Sequence, residues 1–362
     1  MLYHLLVPLT EHLSGFNLFR YITFRTAGAT VTAIIISLIL GPFFIRLLRK
    51  YQLGEKIREE GPASHHKKAG TPTMGGLIIL CGIVIPTLLW ADLTNFYVLM
   101  VLLVTCWLGL IGYMDDYLKV VKKEPKGMVA RKKLIGQVLL GILFGLCLLY
   151  LAPHDKYDGT TGIPFLKNYV LVLGILYVPA VIFIIAGSSN AVNLTDGLDG
   201  LAIGLSALCF IAFGGIAYVS GRSDFSSYLQ IDYFPGAGEL VIYCGAAVGS
   251  ALGFLWFNSH PAEVFMGDTG SLSLGGAIGA LAILLKKELL LGIVGFVFVM
   301  EAMSVILQVL SYKYRGGKRI FKMAPLHHHF ELLGWPESKI VVRFWILGAL
   351  CMLITLATLK IR

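Results

Sequence analysis

The chain has 362 residues, of which 57% are hydrophobic and only 14% charged, with a formal net charge of +9. An ordinary soluble domain carries about 25% charged residues, so the composition excludes one and describes a polytopic membrane protein. Six cysteines (Cys81, Cys106, Cys147, Cys209, Cys244 and Cys351) lie inside apolar runs with no CxxC or Cys/His spacing, which argues against a disulfide framework or a zinc site. The N-terminal residues lack the charged, apolar, small-residue order of a cleaved signal peptide.

A spanning helix needs about 20 mostly apolar residues. In chain order, ten segments qualify: 22–45, 73–91, 96–114, 134–152, 169–186, 200–220, 239–257, 271–285, 289–310 and 340–359. The eighth is short and glycine-rich, so its ends are the least defined. Lysine and arginine then orient the bundle: loops 46–72 and 115–133 carry seven each and loop 311–339 six, against eight on the opposite loops and termini together. By the positive-inside rule the three basic loops are cytoplasmic, together with loops 187–199 and 258–270, and both termini are periplasmic. The expectation is therefore an all-α polytopic membrane protein of about ten transmembrane helices, with residues 1–362 forming one domain. A basic cytoplasmic rim attracts anionic membrane lipid and anionic substrates. Its loops lack interleaved aromatic platforms, so no nucleic-acid partner is expected.

Four polar motifs fall on that cytoplasmic side: Asp115-Asp116, the stretch Asn193 to Asp199, Gly267-Asp268, and His327-His328-His329. Carboxylates at membrane depth are costly and mark functional sites. Because these come from distant segments and share one side, they are expected to line one cleft. Adjacent helical residues point about 100° apart, so Asp115 and Asp116 do not both face one ion; one serves as ligand or base and the other is structural. Asp196 and Asp199 share a face if their stretch is helical. Asp268 sits between glycines before a helix, equally suited to a ligand or to an N-cap. Consecutive histidines do not share a helix face, which argues for hydrogen bonding to phosphate over a tris-histidine metal site. Aspartates without a cysteine ligand favour a hard cation such as Mg2+. There is no GxxxxGK[ST] loop.

The segments Gly70-Thr-Pro-Thr73-Met-Gly-Gly76, Gly112-Tyr-Met-Asp115-Asp116-Tyr117, Asn190 to Gly200, Phe254-Leu-Trp-Phe-Asn258, Val264-Phe-Met-Gly-Asp268 and Ala324-Pro-Leu-His-His-His-Phe-Glu331 resemble the bacterial phospho-N-acetylmuramoyl-pentapeptide-transferases. These form a branch of the polyprenyl-phosphate N-acetylhexosamine-1-phosphate transferase superfamily. The resemblance runs from about residue 15 to the C-terminus. It implies transfer of phospho-MurNAc-pentapeptide from UDP-MurNAc-pentapeptide to undecaprenyl phosphate, giving lipid I and UMP. That is the first membrane step of peptidoglycan synthesis, at the inner face of the bacterial cytoplasmic membrane. By the same resemblance Asp268 is the Mg2+ ligand, Asp115 the leading general base and Asp116 its support, with His327 neutralising the diphosphate. Lys68, Thr73, Asn193, Asp196, Asp199, Asn258, Phe265, His328 and His329 are implied substrate-binding residues, and a homodimer is a family expectation.

Two rivals share parts of this pattern. A sister transferase acting on UDP-N-acetylglucosamine would carry the same aspartates. A secondary transporter would use a carboxylate within a span, and Glu301 is the residue such a reading selects; transporters, however, gather substrate groups near the midplane and often contain repeats.

Overall fold

The structure, a computed structural model, describes residues 1–50, 70–124, 127–153, 157, 159–163 and 169–360. After short helical turns at Leu2–Leu6, Pro8–Glu11 and Ser14–Arg20, the chain forms α1 (Ile22–Lys50), α2 (Gly76–Trp90), α3 (Phe96–Val120) and α4 (Ala130–Leu151). A hairpin of β1 (Thr160–Gly162) and β2 (Val170–Val172) precedes α5 (Tyr177–Thr195), α6 (Leu201–Ser220), α7 (Leu240–Asn258) and α8 (Gly267–Leu284). Then follow α9 (Phe296–Tyr314), the short α10 (Leu326–Glu331) and α11 (Glu337–Ala357). Among the described residues nine helices are long and apolar enough to cross a membrane, and α2 is a shorter apolar helix. These ten match the ten expected segments one for one. In lipid only a helix or a closed barrel satisfies every backbone group internally, which is why the apolar runs fold this way.

Three differences from the expected boundaries matter for the site. The third helix runs on to Val120, so Asp115 and Asp116 lie within it and not in the loop after it. The fourth begins at Ala130, which puts Lys132 and Lys133 on its first turn. The fifth segment is displaced: Val170, Leu171 and Val172 pair antiparallel with Gly162, Thr161 and Thr160, and the helix occupies Tyr177–Thr195. The β-branched residues there favour the extended state, so this hairpin departs from an all-α fold. Residues 190–195, expected in a loop, are helical. Asp196 is instead the C-cap of α5 and Asp199 lies in the following turn, so the two do not share a helix face.

Burial sorts the helices. From Asp268 to Leu284 every residue of α8 is buried, whereas α1, α9 and α11 turn long apolar faces outward, with Val31, Ile35, Ile39, Leu350 and Leu353 exposed. An apolar exterior of that extent suits lipid. Small residues allow α8 its central place: Gly275 and Gly279 lie directly against Ser188 of α5, and Gly276 against Leu108 of α3. Close approach through small residues drives helix packing in a medium as apolar as the side chains themselves. The same device joins α1 to α7, where Gly249 and Gly253 meet Thr30 and Ser37.

At the end of the bundle away from the aspartate motifs, ion pairs clamp the helix ends. Buried Arg25 holds Glu239 through two bonds of 2.7 and 2.5 Å, and Glu239 also accepts from the Asp92 backbone N–H at 3.0 Å. Beyond the C-terminal end of α8, Glu288 accepts from Thr161 at 2.5 Å and from Tyr177 at 3.2 Å, tying the hairpin to the bundle. Burial pushes the Glu288 carboxyl above its ordinary pKa.

Candidate active site

Asp115, Asp116 and Asp268 lie together at one end of α3 and α8, buried, each offering an oxygen within 4.8 Å of the others. The two neighbours on α3 do different things. Asp116 turns toward the N-terminus of α8: its Oδ1 accepts from the Asp268 backbone N–H at 3.1 Å, and its Oδ2 from the Thr269 N–H at 2.9 Å and the Thr269 hydroxyl at 2.6 Å. Those are donors that a helix leaves unpaired at its start, where the dipole also favours negative charge. Asp116 thus caps a helix to which it does not belong. Gly112, one turn earlier, allows the approach, since a β-carbon there would run into the Asp268 carbonyl and the Thr269 backbone.

Asp115 points elsewhere. Its Oδ2 pairs with Lys119 at 2.5 Å and Lys133 at 2.9 Å, and its Oδ1 accepts from the Met128 N–H at 2.5 Å. The same lysines reach Asp268 Oδ2, Lys119 at 3.2 Å and Lys133 more closely. Asp268 Oδ1 accepts from Asn193 at 2.9 Å, and that amide also donates to Ser271 Oγ at 2.8 Å. Asp115 and Asp268 therefore share the two ammonium groups, with Asp116 beside them. Among the described residues this buried cluster has two lysines against three carboxylates, and its oxygen donors suit a hard cation.

The remaining sequence candidates form the surroundings. Segment 72–76 is laced to 265–266 by backbone bonds of 2.8 Å from Phe265 N–H to Pro72, Gly75 N–H to Phe265 and Gly76 N–H to Met266. This places buried Thr73 beside Gly267. Asn258 spends both ends of its amide on backbone, accepting from Gly200 N–H at 3.1 Å and donating to the Val264 carbonyl at 2.9 Å. It shapes the two loops it joins. Asp199 belongs to a separate group, pairing with His260 Nδ1 at 3.0 Å and accepting from Ala262 N–H at 3.1 Å, while its own N–H donates to Glu337 at 2.8 Å. Asp199, His260 and Glu337 also offer ligand atoms within 4.8 Å of one another. Lys68 lies outside the described residues.

The three histidines of α10 part company, as residues on different helix faces must. His327 is fully buried against Glu301 of α9, His328 meets Glu331 at 2.7 Å, and His329 Nδ1 accepts from the Lys322 N–H at 3.1 Å. Glu301 is thus paired with a residue of this end of the bundle.

Sequence reasoning counted Lys119 and Lys133 only as topology signals and missed them as partners of the aspartates. Lys119 was legible, being four residues after Asp115 on one helix. Lys133 was not, because nothing local says that α4 begins beside α3. Replacement of Asp116 by Asn removes charge from a buried three-donor cap, and an unmade buried bond costs about 1–3 kcal/mol. The Asp116→Asn protein is therefore expected to melt measurably lower in detergent than wild type; an unchanged melting temperature would contradict the capping role.

Comparison with known proteins gives the family. Residues 98–286 match the family model described as glycosyl transferase family 4, and residues 68–80 match phospho-N-acetylmuramoyl-pentapeptide-transferase signature 1. Proteins named phospho-N-acetylmuramoyl-pentapeptide-transferase align with the whole chain and over their own whole length. Among them are those of Citrifermentans bemidjiense at 55% identity, Koribacter versatilis at 53% and Thermodesulfovibrio yellowstonii at 52%. With the two lysines and three aspartates contributed by the helices that the family model spans, the chain belongs to the phospho-N-acetylmuramoyl-pentapeptide-transferases of glycosyl transferase family 4.

Proposed function

We propose that this transferase passes phospho-MurNAc-pentapeptide from UDP-MurNAc-pentapeptide to undecaprenyl phosphate, yielding lipid I and UMP in the first membrane step of peptidoglycan synthesis. The observation that carries the reading is the buried cluster of three aspartates and two lysines at one end of the membrane spans. Such a site suits two phosphate-bearing partners, one water-soluble and one held in lipid. The excess of lysine and arginine in the adjoining loops supports the reading that this end lies at the cytoplasmic face of the bacterial inner membrane, with both termini periplasmic. A homodimer completes the proposal.

Phosphoryl transfer depends on positioning and on neutralising charge around the transferred group. Asp115 accepts the proton of the lipid phosphate, one of whose oxygens then attacks the sugar-linked phosphorus directly. As that P–O bond forms, the bond to the bridging oxygen breaks and UMP leaves. Lys119 and Lys133, held between Asp115 and Asp268, carry charge for the transferred group. Asp268 is the residue to hold Mg2+, which would neutralise the diphosphate when bound. Asp116 keeps the start of α8, and so Asp268, in place. His327 and His328 face the diphosphate, Phe265 offers a stacking face to uracil, and Lys68, Thr73, Asn193, Asp196, Asp199, Asn258 and His329 complete the donor grip directly or by shaping its loops.

The direct test is UMP release in detergent from the muramoyl-pentapeptide donor, with and without Mg2+ and undecaprenyl phosphate. Release is expected only when all three are present. Equal turnover of UDP-N-acetylglucosamine would defeat the muramoyl assignment, and an aspartyl phospho-sugar adduct would replace direct attack by a covalent route. Lipid-linked product formed without any vesicle excludes transport as the activity.

A further inference from the structure

Glu301 lies on α9 within a membrane span and is fully buried. A carboxylate in such a place is costly and calls for a partner. Among the described residues the partner of its side chain is His327. The His327 backbone N–H donates to Glu301 Oε1 at 3.2 Å, and His327 Nδ1 lies 3.1 Å from Oε2. Nδ1 is thus engaged by Glu301, and Nε2 is the ring nitrogen left for other use.

Nε2 is buried and has no hydrogen-bond partner among the described residues. It points at Gly197, where an added β-carbon would collide with it. Gly197 sits between Asp196 and Asp199, a few residues after Asn193, the residue that holds Asp268. A buried polar atom without a partner costs about 1–3 kcal/mol, a cost that a bound ligand can remove. The arrangement repeats a general device in which a carboxylate fixes the proton and the orientation of an imidazole.

We propose that Glu301 is a positioning residue of the transferase: it locks His327 so that Nε2 is presented, beside the 193–199 segment, to the phosphate oxygens of the bound donor. In the bound state both ring nitrogens donate, Nδ1 to the Glu301 carboxylate and Nε2 to a phosphate oxygen. The inference rests on the proposed role of His327 in gripping the donor. Glu301 itself touches no substrate.

The test is a double-mutant cycle with Glu301→Leu, Glu301→Gln and His327→Gln, read as kcat/KM for the UDP donor and KM for undecaprenyl phosphate. Removal of an orienting carboxylate costs about 10–100-fold. Glu301→Leu is expected near the upper end and Glu301→Gln, which keeps an acceptor and loses the charge, near the lower. The lipid KM stays unchanged in both. In the His327→Gln background neither change should cost anything further, because contacting residues that act as a unit are non-additive. A Glu301→Gln protein with wild-type kcat/KM overturns the proposal, as do losses that multiply with that of His327→Gln. Where Glu301→Leu gives no cooperative melt, the Glu301→Gln arm decides. A His327→Gln protein with unimpaired donor turnover would instead remove His327 from the donor site, a separate failure.

Discussion

Replacing Asp268 by Asn should abolish Mg2+-dependent turnover, by at least about 10³-fold, while the protein still melts cooperatively in detergent. The magnitude follows from what the carboxylate is asked to do: a preorganised charge in a water-poor site is worth about 10²–10³-fold by itself, and the metal it would hold contributes several kcal/mol more. Asp268 is the common point of the site, shared by Lys119, Lys133 and Asn193. Loss of its charge leaves the lysines with Asp115 alone. The fold is expected to survive because the cap on α8 uses the backbone N–H of residue 268, which Asn also provides. Substantial UMP release by Asp268→Asn at saturating Mg2+ would take this residue out of the metal role.

Asp115→Asn should lower kcat by about 10²–10⁴-fold, the usual worth of a positioned general base, and leave binding of the UDP donor nearly unchanged. The structure separates it from its neighbour. Both Asp116 oxygens are engaged by α8, whereas Asp115 Oδ2 pairs with the ammonium groups of Lys119 and Lys133. Lysine side chains can follow an arriving phosphate, which leaves that oxygen open to a proton; a helix N-terminus cannot move aside. Weakened donor binding in Asp115→Asn, measured by equilibrium titration without undecaprenyl phosphate, would reassign Asp115 from base to donor contact. The contrast with Asp116→Asn is informative, since that variant is expected to lose stability along with activity.

Much of the frame was legible beforehand. Each of the ten apolar segments became a helix, because in lipid a run of that length has no other way to satisfy its backbone. Counting lysines and arginines also grouped Asp115, Asp116, Asp196, Asp199, Asp268 and the histidines on one side, and the structure does bring the Asp115, Asp116 and Asp268 set together. The errors lay at helix ends. Residues 170–172 are apolar enough to read as the start of a span, and only their pairing partners at 160–162 make them a strand. Segment 190–195 looked like a loop for its polar residues, yet Asn193 is helical and directs its amide to Asp268 and Ser271 on α8.

Membrane class, the ten apolar helical segments and the family all follow from residue types and their spacing along the chain. Those are local quantities, set by transfer of apolar length into lipid and by the charge of the loops between. Tertiary structure alone decided the division of labour: Asp116 as a cap in trans, Asp115 and Asp268 bridged by Lys119 and Lys133, His327 held by Glu301, and α8 at the centre. Each of these depends on which face one helix turns toward another, and adjacent residues differ in direction by about 100°. Chain spacing records that difference but not the neighbour it meets.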